Sequence, residues 1–170
     1  MIKTEIKITQ RQTILTMNKN LFAGIFLLLF VLTSCGDSPY FQQSVSFTNL
    51  TWSRKQKPTF VVDIKDANKT YEMILTFRTS THYQYRNAWV YLNSVTPDKK
   101  RFREPFEIQI SDEKGYWLGK KTGSIVENKL VFRNRKFPTA GKYTFVLEQG
   151  VIQKVLYGVY DIGLEIKELK

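Results

Sequence analysis

The feature that most constrains this chain is the strict alternation of apolar and polar residues towards its C-terminus. Tyr160, Ile162, Leu164 and Ile166 alternate with Asp161, Gly163, Glu165 and Lys167, and Tyr143, Phe145 and Leu147 alternate with Thr144, Val146 and Glu148. A period of two puts every second side chain on one face, as a half-buried β-strand requires. Phe106, Ile108 and Ile110 repeat the pattern, as do Phe60, Val62 and Ile64. Less regular strands are expected at 71–78, 88–95 and 129–133, with another over Val45 to Leu50. Trp89, inside one of them, is expected in the core. Asp66-Ala67-Asn68-Lys69, Thr96-Pro97-Asp98, Asp112-Glu113-Lys114-Gly115 and Phe137-Pro138-Thr139-Ala140-Gly141 supply turn chemistry between the strands. Pro97, Pro105 and Pro138 are expected at strand ends, where a missing N–H costs least. The nearest approach to a helical stripe is Thr122 to Asn128, a turn or two at most. About eight short strands without intervening helices predict an all-β chain folded as an antiparallel β-sandwich, jelly-roll or immunoglobulin-like, with a small closed barrel as the alternative.

Composition agrees. Twelve Phe and nine Tyr in 170 residues exclude a disordered chain. A single Cys excludes a disulfide framework and any Cys-cluster metal site, and a single His excludes two-His zinc sites. The sequence asks for no metal and no cofactor. The formal charge of +11 points towards an anionic partner, whose nature depends on compartment.

The N-terminal stretch decides the compartment. Leu21 to Leu32 carries no charge and no strongly polar group, and Lys19 precedes it. Twelve residues of helix span about 18 Å, too short for a hydrocarbon core of about 30 Å, but fit the apolar region of a secretory signal peptide. Leu32-Thr33-Ser34-Cys35 then resembles a bacterial lipobox, with Cys35 as the lipidated residue. The expected organisation is a signal peptide over residues 1–34, with Met17 as an alternative start, a lipidated tether over 35–43 and a β-sandwich over 44–170. Because one acyl chain gives only marginal attachment, a multiply acylated Cys35 would make the stable anchor. It would also leave the folded domain free of thiols, which suits an oxidising envelope. From Cys35 onward the chain carries 22 basic against 14 acidic residues.

Catalytic signals are weak. His82, in Thr81-His82-Tyr83-Gln84-Tyr85, reads as a loop residue at a strand end, without a G-x-S-x-G elbow to accompany it. There is no Gly-rich phosphate loop, and the expectation is a protein that is not an enzyme, with no catalytic residues. The basic clusters Lys99-Lys100-Arg101-Phe102-Arg103, Lys120-Lys121 and Arg133-Asn134-Arg135-Lys136 read as charged hairpin ends protected from edge pairing, or as contacts to anionic lipid, glycan or an acidic protein face. Nucleic acid is not expected as a partner of an envelope lipoprotein. Trp117, between Gly115 and Gly119, is the aromatic expected to be exposed. Together with Trp52 it motivates an alternative reading, a carbohydrate-binding or glycan-sensing sandwich.

Four blocks in order carry a family resemblance: Phe77-Arg78 followed by Tyr83-Gln84-Tyr85-Arg86-Asn87; Gly115-Tyr116-Trp117-Leu118-Gly119; Phe137 to Phe145 followed by Leu147-Glu148-Gln149; and Gly158 to Ile166. In these the chain resembles the gliding-motility lipoprotein GldH family of Bacteroidetes. It departs from the family at Gln84, where proline is common, and at Ala88, where leucine is common. The resemblance implies a non-enzymatic role beside gliding and type IX secretion envelope proteins, by protein–protein contact. It implies a cell-envelope location, lipid-anchored at the outer membrane and facing the periplasm. Arg78, Tyr85, Asn87 and Trp117 are the expected partner contacts; the alternative is a buried Arg–Tyr–Asn hydrogen-bond set beside a packed Trp.

Overall fold

The alternating segments form strands, and the computed structural model, which describes residues 39–169, gathers them into antiparallel sheets. In chain order the strands are β1 (Phe41–Ser46), β2 (Thr51–Ser53), β3 (Thr59–Ile64), β4 (Thr70–Ser80), β5 (Asn87–Val95) and β6 (Arg101–Gln109). They continue with β7 (Lys120–Thr122), β8 (Ile125–Lys136), β9 (Gly141–Gln149), β10 (Val155–Tyr157) and β11 (Val159–Leu169). The count is eleven rather than about eight, because β2, β7 and β10 are three-residue strands added to eight longer ones.

One sheet runs β1-β11-β4-β8-β7, the other β3-β9-β5-β6, and β2 pairs with β10 apart from both. Numbering only the eight longer strands gives 1-8-3-6 and 2-7-4-5. That order is a jelly roll and decides between the sandwich forms expected from sequence. The sheets close on a core that includes Tyr71, Met73, Leu75 and Phe77 from β4 and Ile162, Leu164 and Ile166 from β11. Val90 and Leu92 from β5 and Phe145 and Leu147 from β9 meet them from the facing sheet. On β9 and β11 these are the positions that the period-two pattern marks, because residues i and i+2 share a face.

Several expectations are corrected by the geometry. Trp89 is 43% exposed, since Ala88, Val90 and Leu92 occupy the core face of β5 and leave Trp89 on the other. Thr122 to Asn128 is a hairpin rather than a helical turn: β7 and β8 pair Thr122 with Ile125, and Gly123 takes φ 58 at the turn. The expected strand over Val45 to Leu50 ends at Ser46, and Thr48–Leu50 forms a 3-10 turn. Pro105 lies inside β6 rather than at its end, which is tolerated because β6 is an edge strand. A bulge between Val159 and Asp161 breaks the β11 alternation, so Val159 fills the core and Tyr160 is only half-buried.

The sandwich also begins before residue 44, where the sequence places its start. Tyr40 packs edge-on against Tyr71 at 5.5 Å, and β1 begins at Phe41, so residues 40–43 already belong to the sandwich. The expected signal peptide and Cys35 lie outside the described residues.

The connections divide into two sets. Residues 65–69, 96–100 and 137–140 make short turns at one end, where Tyr40 enters. Residues 47–58, 81–86, 110–124 and 150–158 make longer connections at the other. β5 runs the distance between them, and nine residues at about 3.3 Å each span roughly 30 Å.

Candidate functional site

At the end remote from Tyr40, two connections are laced together. The Arg86 carbonyl accepts from the N–H groups of Ile110 (2.8 Å) and Ser111 (3.1 Å), and the Leu118 N–H donates to the Ile110 carbonyl at 2.9 Å. Between them, the Asp112 carboxylate accepts from the N–H groups of Lys114 (2.9 Å) and Tyr116 (2.8 Å). Gly115, at φ +85, turns the chain where a side chain would be strained. The result is a small rigid loop that presents Tyr116, 69% exposed, and Leu118, 55% exposed.

Gly119 is fixed by a different requirement. A Cβ there would collide with the Glu127 carbonyl oxygen and with Asn128 Oδ1, so only glycine lets this segment lie against β8. The two glycines that frame Tyr116, Trp117 and Leu118 thus do separate jobs: one turns the loop and the other seats it.

Beside this loop lies an open cleft of about 650 Å³, lined by Tyr85, Asn87, Glu107, Gln109, Ser111 and Leu118 among others. The Asn87 side-chain amide donates to Glu107 Oε1 at 2.6 Å across the β5–β6 pair. Tyr85 packs edge-on to Tyr83 at 5.6 Å, and Tyr83 in turn packs edge-on to Phe77 at 6.1 Å. Burial, and secondarily the neighbouring Tyr85, holds the Tyr83 phenol well above its ordinary range. Its hydroxyl donates to the Asn87 carbonyl at 3.3 Å. A second cleft of about 370 Å³ shares Glu107, Gln109 and Leu118 and continues between β6 and β8 to Asn128, which is 4% exposed and has no hydrogen-bond partner for its Nδ2. These walls combine amide and hydroxyl groups, carboxylates and exposed apolar side chains.

The four expected contact residues are therefore divided. Tyr85 and Asn87 line one cleft. Trp117 is half-buried and packs against the core, and its neighbour Leu118 reaches the cleft instead. Arg78 lies on the outer face of the five-stranded sheet, where its Nε donates to Asp161 Oδ1 at 2.8 Å beside Gly163 and Thr76. An Arg–Tyr–Asn hydrogen-bond set does not form among the described residues, because Arg78 pairs with Asp161 and Asn87 with Glu107. The sequence reading did not single out Glu107 and Gln109, and it takes the Gly115–Gly119 loop as a contact segment through Trp117 rather than Leu118. Leu118 had a local signal, as the apolar residue beside a glycine in a turn segment; the other two did not, since only strand pairing brings them to Asn87.

Trp52 is fully buried, stacked on Phe47 at 5.2 Å, with its Nε1–H donating to the Gln56 carbonyl at 2.9 Å. Trp52 therefore offers no free indole face, Trp117 is partly covered, and the most exposed indole is that of Trp89. His82 is exposed just past the end of β4, with Nδ1 3.2 Å from Ser80 Oγ. Among the described residues, no three His, Cys, Asp or Glu side chains gather as a metal site would need.

Comparison with known proteins bears on this arrangement. The gliding motility lipoprotein GldH homolog of Christiangramia forsetii is 26% identical over 157 residues, covering 85% of this chain and 95% of that protein. The gliding motility lipoprotein GldH of Flavobacterium johnsoniae is 26% identical over 155 residues, covering 86% of this chain and 96% of that protein. Among solved structures, the infectious bursal disease virus VP2 subviral particle aligns with a TM-score of 0.34 and 11% identity, over 77% of this chain and about a third (34%) of that one. The GldH lipoprotein profile matches residues 39–166, the whole sandwich almost to the end of its last strand, and the chain belongs to the GldH lipoprotein family.

Proposed function

We propose that this gliding-motility lipoprotein acts without catalysis, as a lipid-anchored envelope component that binds another protein of the gliding and type IX secretion apparatus. The observation that carries the reading is the cleft lined by Tyr85, Asn87, Glu107 and Leu118. It lies about 30 Å along β5 from the point where the chain enters the sandwich, so a domain anchored through Cys35 holds it away from its own tether. Exposed Tyr116 and Leu118 beside satisfied polar groups give the apolar centre and polar rim typical of a protein contact. Attachment to a membrane raises the local concentration of such a surface for a partner confined to the same envelope. The outer membrane, with the domain in the periplasm, is the location the reading assigns.

The test is photocrosslinking in the native membrane from a probe placed at Leu118, with Val61, exposed on β3 at the opposite edge of the sheet that carries β5 and β6, as the control position. Recovery of a secretion-machinery protein from Leu118 alone supports the proposal. Equal yields from both positions, or secretion unchanged by Tyr85→Ala combined with Leu118→Ser, would refute it. Cys35→Ala is expected to release the folded domain from the membrane, and detergent-phase partitioning like that of the wild type would remove the anchor.

A further inference from the structure

The opposite end of the sandwich has its own chemistry. Tyr40 is pinned there: its hydroxyl donates to the Asp63 carbonyl at 2.7 Å and accepts from the Lys65 N–H at 2.9 Å. Cys35 precedes Pro39 by four positions in sequence, a length of chain that reaches at most about 15 Å. Whatever carries the acyl chains therefore carries this end of the domain next to it.

The three turns at this end and their flanks, residues 63–70, 95–103 and 134–143, hold nine Lys and Arg against three Asp. Two of the three Asp are already engaged, Asp63 with Lys65 and Asp98 with Lys100. Among the described residues, exposed Lys99, Arg101, Lys136 and Lys142 have no carboxylate at ion-pair distance. Lys99 sits at the hairpin tip with φ 63, a left-handed position where glycine would be the unstrained choice. Phe102, between Arg101 and Arg103, is 53% exposed. An aromatic ring among cations is the composition that settles at a head-group interface.

We propose that this end is a docking face for an anionic bilayer surface, with the β5–β6 hairpin tip and the 134–136 segment as its cationic contacts and Phe102 as its apolar one. The inference rests on the lipid-anchored reading of Cys35. It sorts the basic clusters of the sequence: 99–103 and 133–136 fall at the tether end, while Lys120 and Lys121 fall at the far one. The far end is basic as well, but it stands about 30 Å off, beyond a screening length of about 8–10 Å, and does not feel the same surface. The anchor supplies attachment, and the basic face supplies orientation, keeping the Tyr85–Leu118 cleft pointed away from the lipid.

The acylated chain has no other Cys, so a single introduced thiol can be labelled. A fluorophore at Thr139→Cys, in the tether-end loop, is compared with one at Glu113→Cys at the far end. Both proteins are reconstituted in vesicles of phosphatidylcholine alone or with phosphatidylglycerol, each doped with a head-group spin-label quencher. Flotation with the vesicles reports the anchor independently. The expected result is quenching at Thr139→Cys at least tenfold that at Glu113→Cys in phosphatidylglycerol vesicles. It should fall several-fold in phosphatidylcholine, in 0.5 M salt, and in the Lys99→Gly/Lys100→Ser/Arg101→Ser variant, which still floats. The single Lys99→Gly change, which relieves backbone strain, guards against misreading an unfolded variant and should lower quenching by a smaller factor. Quenching at Thr139→Cys that ignores lipid charge, salt and the triple substitution would overturn the docking face while leaving the anchor intact. Failure of the wild type to float would overturn the anchor and the inference together.

Discussion

The two ends of this sandwich solve the same problem, closing a jelly roll, with different materials. At the tether end the turns are short, and tyrosine hydroxyls clamp them. Tyr40 donates to the Asp63 carbonyl at 2.7 Å, Tyr71 to the Asp66 carbonyl at 2.8 Å and Tyr143 to the Thr139 carbonyl at 2.9 Å. Each ring stays in or beside the core while its hydroxyl gives a turn or strand-end carbonyl a partner. At the far end the connections are longer and are tied by side chains reaching across. Arg54 Nη2 donates to the carbonyls of Val151 (2.5 Å), Ile152 (2.6 Å) and Gln153 (3.2 Å), and Gln149 Nε2 donates to the carbonyls of Trp52 (3.1 Å) and Lys154 (3.3 Å). Short clamped turns make a rigid base. Long cross-tied loops make clefts, and binding surfaces usually sit on such loops carried by a rigid scaffold.

That contrast can be broken at its strongest point first. Trp52 is the one indole fully inside the far end, stacked on Phe47 and tilted against Phe77 at 6.2 Å. Trp52→Ala is expected to cost about 3–5 kcal/mol in urea unfolding, because a large cavity opens under the β2–β10 pair. A loss below about 1 kcal/mol would mean that the far end is only draped over a core held elsewhere.

Gly119→Ala tests how the cleft loop is seated. The added methyl meets the Glu127 carbonyl and Asn128, so a loss of about 1–3 kcal/mol is expected, with increased amide exchange over residues 110–119. Exchange that rises equally in the 65–69 turn would contradict independent ends.

Tyr83→Phe separates burial from hydrogen bonding. Removing the hydroxyl that meets the Asn87 carbonyl should cost about 1 kcal/mol at neutral pH. The sign of the pH effect follows from the raised phenol pKa. Below the unfolded value of about 10 both states are neutral; above it the unfolded chain ionises first, and stability falls as pH rises. The Phe variant should lose part of that alkaline destabilisation, and an unchanged alkaline edge would show that Tyr83 does not report on the cleft.

The smallest effect is at the other end. Lys99→Gly should stabilise the fold by about 0.5 kcal/mol, since glycine accepts φ 63 without strain but loses more backbone entropy on folding. A destabilisation would mean that the lysine side chain packs or pairs in a way that outweighs its backbone conformation.

How much of this was legible in the sequence differs between core and cleft. Phe145 and Leu147, Ile162 to Ile166, and Phe60 to Ile64 were read correctly because alternation is a local property of the strand that carries it. Trp89 was misread because membership in a strand does not say which face a residue takes; the zero exposure of Ala88, Val90 and Leu92 around it does. Tyr160 was misread because a bulge inserts a residue that the pattern does not announce. Tyr85 and Asn87, expected as partner contacts, line a cleft, but Glu107 and Gln109 lie some twenty residues further along and reach it only through the β5–β6 register. Arg78 is grouped with them by the block that carries the family resemblance, and β4 delivers it to the outer face of the other sheet.

By itself, then, the sequence determined that this chain is a set of antiparallel strands with one buried face each, expected to follow a lipidated Cys35. Period-two patterning and turn residues are local and need no partner to be read. Tertiary structure decided the jelly-roll order, the division of the expected contact residues between a cleft and a sheet face, and the placement of two basic clusters at the end where Tyr40 enters. Those depend on which strands pair, and pairing is fixed by the fit of whole faces against one another across separations in sequence that no local pattern encodes.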